Sequence, residues 1–536
     1  MRPGPRALAV LLAAAALLPG CSRSTNVSTG DASQVLHRGL VPDIEDLDPH
    51  MATQTSYYTV LSALLEGLVA EDPVDLHPVP GVAEEWSVSP DGLTYTFHLR
   101  ADAHWSNGDA VTAQDFIGSW RRILTPSLGA ASASQLYLIQ GAEAFNRGQA
   151  DFSQVGLRAP DPRTLEVSLE HPAPWFLSVL SEPAWLPVPL ATIAKYGGTA
   201  ERGNPWATPG RWVGNGPFLL ASWRHGQEIV VSRSPSYWDE ARVRLKEIHF
   251  HPFDSVDAEE RAFRAGQLHV TETLPPDKLD TYRTQSPGLL RIDPLLGTYF
   301  LRINVRRPGL NDARVRLALA LAIDREAIVE KILRGGQGAA AAFTPPGMGG
   351  YVPDAGQPLQ LDRARKLLAD AGYAGGAGLP SFDLLYNTSE SNRVIAESIQ
   401  EMWRRDLGIR VSLANEDLRT TEASRESGSY DILRSSLIAD YADPSAFLDT
   451  FRGDSSDNFT GWRNADYDSL LFTADRTADP AARNALFGKA EAILMAEAPV
   501  IPIYHYTHVY LLRLSVQGWN PTLLDHHPYK GVWLQP

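Results

Sequence analysis

The chain has 536 residues, with 48 Lys and Arg against 63 Asp and Glu, a formal charge of −15, and 44% hydrophobic and 9% aromatic residues. This is ordinary globular composition, long enough for two or three domains, and it lacks the basic surplus that a nucleic-acid partner demands. The single cysteine, Cys21, excludes an intramolecular disulfide, a zinc knuckle and a cysteine-held iron–sulfur cluster.

Arg2 and Arg6 open the chain, and Ala7 to Leu18 form an apolar run too short to span a bilayer as a helix. Leu18-Pro19-Gly20-Cys21 follows, then a polar stretch from Ser22 to Gln34. A small residue before a lone cysteine resembles the lipobox of bacterial lipoproteins. That resemblance implies a signal peptide over 1–20, lipidation (palmitate among the acyl groups) at Cys21, and a flexible tether over 21–35. The alternative is a plain secretory signal with an incidental cysteine. Cleavage before Cys21 leaves 46 basic against 63 acidic residues, a net of −17. Ser22 in place of Asp leaves inner or outer membrane open. No later apolar run reaches 18 residues, so the body is expected to lie outside the cytoplasmic membrane on its anchor.

The pattern then predicts a strand over 34–38, a turn at Asp48-Pro49, and a helix over 57–69 with Gly67 near its end. Leu93 to Leu99 alternates as a half-buried strand after the Asp91-Gly92 turn. Thr112 reads as an N-cap, with Asp115 three residues on, for a helix through Trp120. Thr164 to Leu169 alternates again, and Pro/Trp-rich loops run from His171 to Pro189. A hairpin is expected from 218–220 and 228–231 around His225-Gly226, then a strand over 244–250 and a helix over 255–265. Val315 to Leu333 is helical with a break at Asp324, and 362–370 is helical. Strand 382–386, helix 392–407 and strand 409–413 form a β–helix–β unit that signals parallel pairing. A helix over 480–496 and strands near 500–514 complete a mixed α/β body.

Catalytic and metal motifs are missing from the sequence. It has no dinucleotide or P-loop fingerprint, no G-x-S-x-G elbow and no H-E-x-x-H. Gly335-Gly336-Gln337-Gly338 reads as a loop. His505 and His508, three apart on a strand, face opposite ways, which disfavours a shared metal; His526-His527 reads as a tail feature. The expectation is a non-enzyme with no cofactor and no metal.

Several ordered segments resemble the extracytoplasmic oligopeptide/dipeptide-binding proteins of ABC importers, the family 5 solute-binding proteins. They are Asp48-Pro49-His50, Leu65-Glu66-Gly67-Leu68, Pro80-Gly81-Val82-Ala83-Glu84-Glu85-Trp86, Thr96-Phe97-His98-Leu99-Arg100, Trp105-Ser106-Asn107-Gly108 and Val111 to Phe116. Gly214-Asn215-Gly216-Pro217-Phe218, Ser236-Tyr237-Trp238, Asn311 to Arg316, Ala322-Ile323-Asp324-Arg325 and Ala439-Asp440-Tyr441-Ala442-Asp443-Pro444 follow. The resemblance implies a two-lobed periplasmic-binding-protein-like α/β fold (type II, cluster C) with an inserted domain. Domain I would take 36–65, 190–295 and 505–536, domain II 66–189, and domain III 296–504.

It also implies a monomeric receptor that captures peptides between its lobes and hands them to ABC permease subunits. Main-chain hydrogen bonding would hold varied peptides without reading their side chains, and a buried amino terminus needs a carboxylate. The matching acid is Asp440; the alternative is a turn aspartate capping its own backbone. Arg434, six residues earlier, is the expected partner of a peptide carboxylate. Asn215, between two glycines, either lines the cleft or makes a structural turn. Tyr441 and Trp462 are candidate wall aromatics. Residues 435–438, Ser-Ser-Leu-Ile, depart from the family's Gly-Trp-Cys type segment, which removes one aromatic contact. Rival readings are a same-fold receptor for an oligosaccharide, nickel complex or cell-wall peptide, and a surface lipoprotein with a sensing or chaperone role.

Overall fold

The computed structural model describes residues 25–41, 44–52 and 55–536; the signal segment and Cys21 lie outside them. Two bodies are distinguished by their cores. The first buries residues from both ends of the chain, among them Leu36, Trp120, Trp206, Phe250 and Leu534. The second is built within 296–504, around Trp403 and Ile432 on one side of its sheet and Phe300 and Phe451 on the other.

In the first body a four-stranded sheet runs Val35–Leu40, Glu247–Pro252, Glu228–Arg233, Phe218–Arg224 in spatial order. A second four-stranded sheet (Ala83–Val88, Thr94–Leu99, Thr164–Ser168, Leu157–Asp161) is antiparallel throughout. The helix Ala113–Leu124 packs beside it and starts with the capping box expected at Thr112 and Asp115. The helix expected over 57–69 ends at Leu64. A side chain at Gly67 would meet the Leu180 carbonyl at 2.3 Å, so the chain passes there as an extended backbone.

The second body is a six-stranded mixed sheet, and Phe382–Asn387, Glu390–Leu407 and Val411–Glu416 form its parallel β–helix–β unit. Two long strands, Leu290–Ile303 and Val500–Leu511, link the bodies. They pair antiparallel from Leu290–Leu511 in the first to Arg302–Val500 in the second, and their register breaks between Pro294 and Thr298. The start of the described chain and its C-terminal segment meet in the first body. The Gln34 side chain donates to the Leu534 carbonyl and accepts from the Leu534 amide, across 500 residues of sequence.

No helix among the described residues is long and apolar enough to cross a membrane.

Candidate functional site

A cavity of about 700 Å³ opens where the two bodies face each other. Ile438, Ala439 and Asp440 reach it from the second body, just past the strand Ile432–Ile438. Glu182 and Gln135 come from the segment carrying the second sheet, Glu272 from the first body, and His508 from a crossing strand. Asp525 and His526 reach it from the C-terminal tail.

Two aspartates of the Asp440-Tyr441-Ala442-Asp443-Pro444 segment divide its work. Asp443 accepts two hydrogen bonds from Arg483, and its Oδ1 accepts from the Ser445 amide (3.0 Å) and hydroxyl (2.6 Å). The structural turn therefore belongs to Asp443. The Asp440 carboxylate is exposed to the cavity and has no hydrogen-bond or ion-pair partner among the described residues. Desolvation raises its pKa, and His526 opposes that shift.

The cavity holds more acid than the motifs announced. Glu71 accepts hydrogen bonds from Tyr58, from Ser181 (3.2 Å) and from His526 Nδ1 (2.9 Å), and the Tyr58 ring stacks on His526 with 3.5 Å between centroids. Burial alone would lower His526, but Glu71 and Glu182 push it up to about 9. Glu182 Oε1 is buried with no hydrogen-bond partner. Burial lifts Glu182 to about 8; His526 opposes the shift, and Glu71 and Asp440 add to it. His508 follows the same pattern. Burial would lower it, yet Asp525, 2.7 Å from its Nδ1, holds it near 9.

These groups make stability pH-dependent. In the folded chain both histidines keep a proton to about pH 9, against 6.5 when unfolded, and Glu182 keeps one to about 8 against 4.5. From pH 6.5 upward the folded state thus binds more protons. The stability this confers on the histidines is fully present below 6.5 and is lost as pH rises through 9. The melting temperature is expected to fall by a few degrees between pH 6.5 and 9, and equal values at the two ends would contradict the assignment.

The other expected site residues lie elsewhere. Arg434 sits in the strand Ile432–Ile438, six residues before Asp440, and does not line this cavity. It donates to Asn387 and to the Tyr506 hydroxyl, both at 3.1 Å, and lies 4.6 Å over the Tyr299 ring, with its Nε buried and unpartnered. Asn215 is structural. Its side chain accepts from the Glu66 amide (3.1 Å) and donates to the Glu66 carbonyl (2.8 Å), and Gly214 and Gly216 admit the Leu64 backbone, not a ligand. The Glu66 carboxylate in turn holds Tyr237 and Trp238, so three motif segments form one buried knot. Trp462 is a core residue of the second body, edge-on to Tyr467 and donating to Glu497 at 2.6 Å. Tyr441 is half-buried and stacks on Trp175 of the other body, 4.5 Å between centroids, as a contact between the bodies. His505 meets Thr298, whereas His508 meets Asp525, so the two histidines turn to different neighbours.

Glu71 and Glu182 escaped sequence reasoning, and His526 was read only as a tail feature, because Glu71 and His526 are 455 residues apart and share no motif.

Residues 77–459 match the model of the bacterial extracellular solute-binding proteins, family 5. The chain is 35% identical over 500 residues to the periplasmic oligopeptide-binding protein OppA of Escherichia coli, covering 91% of this chain and 90% of that protein. It is 36% identical over 481 residues to the dipeptide-binding protein DppE of Bacillus subtilis, covering 88% and 86%. Among solved structures it resembles the unliganded open form of the periplasmic murein tripeptide-binding protein MppA, with a TM-score of 0.84, 34% identity and coverage of 94% and 97%. The chain belongs to the family 5 extracellular solute-binding proteins, which are transport receptors and not enzymes.

Proposed function

We propose that the chain captures oligopeptides in the cavity between its lobes and delivers them to the permease of an ABC importer. The observation that carries this reading is Asp440, a carboxylate facing that cavity without a partner. An α-amine supplies what the carboxylate lacks, whereas a neutral sugar gives it no charge to meet. Relatives named as binding oligopeptides, dipeptides and murein tripeptide agree with the solute class.

In the same reading the peptide main chain is held by strand-like hydrogen bonds, and Arg434 receives the carboxylate of a short ligand. The fold is the type II, cluster C arrangement with domain II inserted at 66–189, and lipidated Cys21 tethers a monomeric body to the membrane. Calorimetric titration with a peptide and its N-acetylated form tests the proposal. The free peptide is expected to bind at least about 10-fold more tightly. Equal affinities would remove the Asp440 assignment, and failure of every peptide offered would remove the solute class.

A further inference from the structure

The strand Val35–Leu40 runs parallel to Glu247–Pro252, with His37 beside His249 and Gly39 beside His251. Alternation puts Leu36, Ile248 and Phe250 into the core of the first body and leaves His37, His249 and His251 together on the opposite face. Each of the three imidazoles offers a nitrogen within 4.8 Å of the other two. His37 Nδ1 and His251 Nε2 are already 3.0 Å apart. Two nitrogens bound to a tetrahedral zinc ion at about 2.0–2.1 Å lie about 3.3 Å from each other, so this pair needs little adjustment.

The surroundings suit a cation. Glu228, on the next strand, is 2.9 Å from His249 Nδ1 and 3.8 Å from His251 Nδ1, and Glu247, 2.9 Å from His249 Nε2, must release that nitrogen to the ion or join the ion as a further ligand. A carboxylate behind a ligating imidazole fixes its ring and raises its basicity. Three imidazoles with carboxylate support favour zinc and its borderline neighbours over magnesium or calcium, which want oxygen cages.

We propose that His37, His249 and His251 form a binding site for a divalent transition cation of the zinc class, backed by Glu228 and separate from the peptide cavity. The ion would pin the first strand of the sheet to its neighbour.

The test uses protein without a histidine tag, stripped with chelator and dialysed against Zn²⁺. Wild type is expected to retain one ion per chain at this site and to melt at a higher temperature with Zn²⁺ than without. The pair H249Q/H251Q should bind about 100-fold more weakly or not at all, and E228Q about 10-fold more weakly. H526Q, which disables the Glu71–Glu182–His526 group in the cavity, should leave this ion in place. Co²⁺ loading of wild type gives a readout free of any folding defect in the variants, an intense visible absorption from low-coordinate nitrogen ligation. Zinc retention unchanged in H249Q/H251Q, or no retention and no Co²⁺ absorption in wild type, would overturn the proposal.

Discussion

Asp440→Asn is expected to weaken binding of a free-amine peptide by about 2 kcal/mol, roughly 30-fold, while leaving the affinity for the N-acetylated peptide nearly unchanged. Asparagine keeps the shape and one acceptor but loses the charge. Truncating one partner of a buried ion pair costs more than this, but Asp440 is exposed to the cavity before ligand arrives, so the lower end of the range applies. The informative quantity is the double difference, because it isolates the amine–carboxylate term from general damage to the cleft. Equal losses for both peptides would show that Asp440 shapes the cavity without meeting the amine.

Arg122→Met is expected to cost about 3–5 kcal/mol of stability, read as a shifted denaturation midpoint. Arg122 donates to both oxygens of Asp48, to the His50 ring (2.8 Å) and to the Thr199 carbonyl (2.6 Å), and Trp206 also donates to Asp48 (3.2 Å). Asp48 is almost fully buried, and removing the guanidinium strands its charge there. Burial, reinforced by Arg122, lowers His50 to about 3, so its neutral ring stands ready as an acceptor. The double variant Arg122→Met/Asp48→Leu should recover part of the loss, since it leaves no orphaned charge. A midpoint equal to wild type in Arg122→Met would show that the network is not under load.

Local rules carried the fold where a segment obeyed one rule at a time. The Thr112–Asp115 box and the parallel unit over 382–416 were legible because capping and periodicity agree there. The crossing strand Leu290–Ile303 was not, because Pro294 and Gly297 interrupt its pattern. Those residues coincide with the register break, where Gly297 has Ile438 and Tyr506 packed so close that a side chain would collide. The strand Ile432–Ile438 hides for a different reason, since Arg434 and Ser436 break its apolar run. The sequence singled out the Asp440 segment, which lines the cavity, but not the division of labour between Asp440 and Asp443. That division depends on Arg483, a partner 40 residues away. Asn215 stayed open between two readings, and Trp462 was taken for a wall aromatic, because a polar residue between glycines and a large aromatic look the same in a cleft and in a structural joint.

The meeting of Gln34 with Leu534 has a consequence for how the receptor comes into being. A chain emerging from its amino end can assemble the body within 296–504 from contiguous sequence, as domains generally do. The first body must wait for the last residues, because its edge strand is secured by them and Asp525 and His526 lie in the same tail. The cavity lining is thus incomplete until Asp525 and His526 are made. A product that stops short of the tail would carry a finished second lobe and an unfinished pocket, so ligand could not be held by a chain that had not been made to its end.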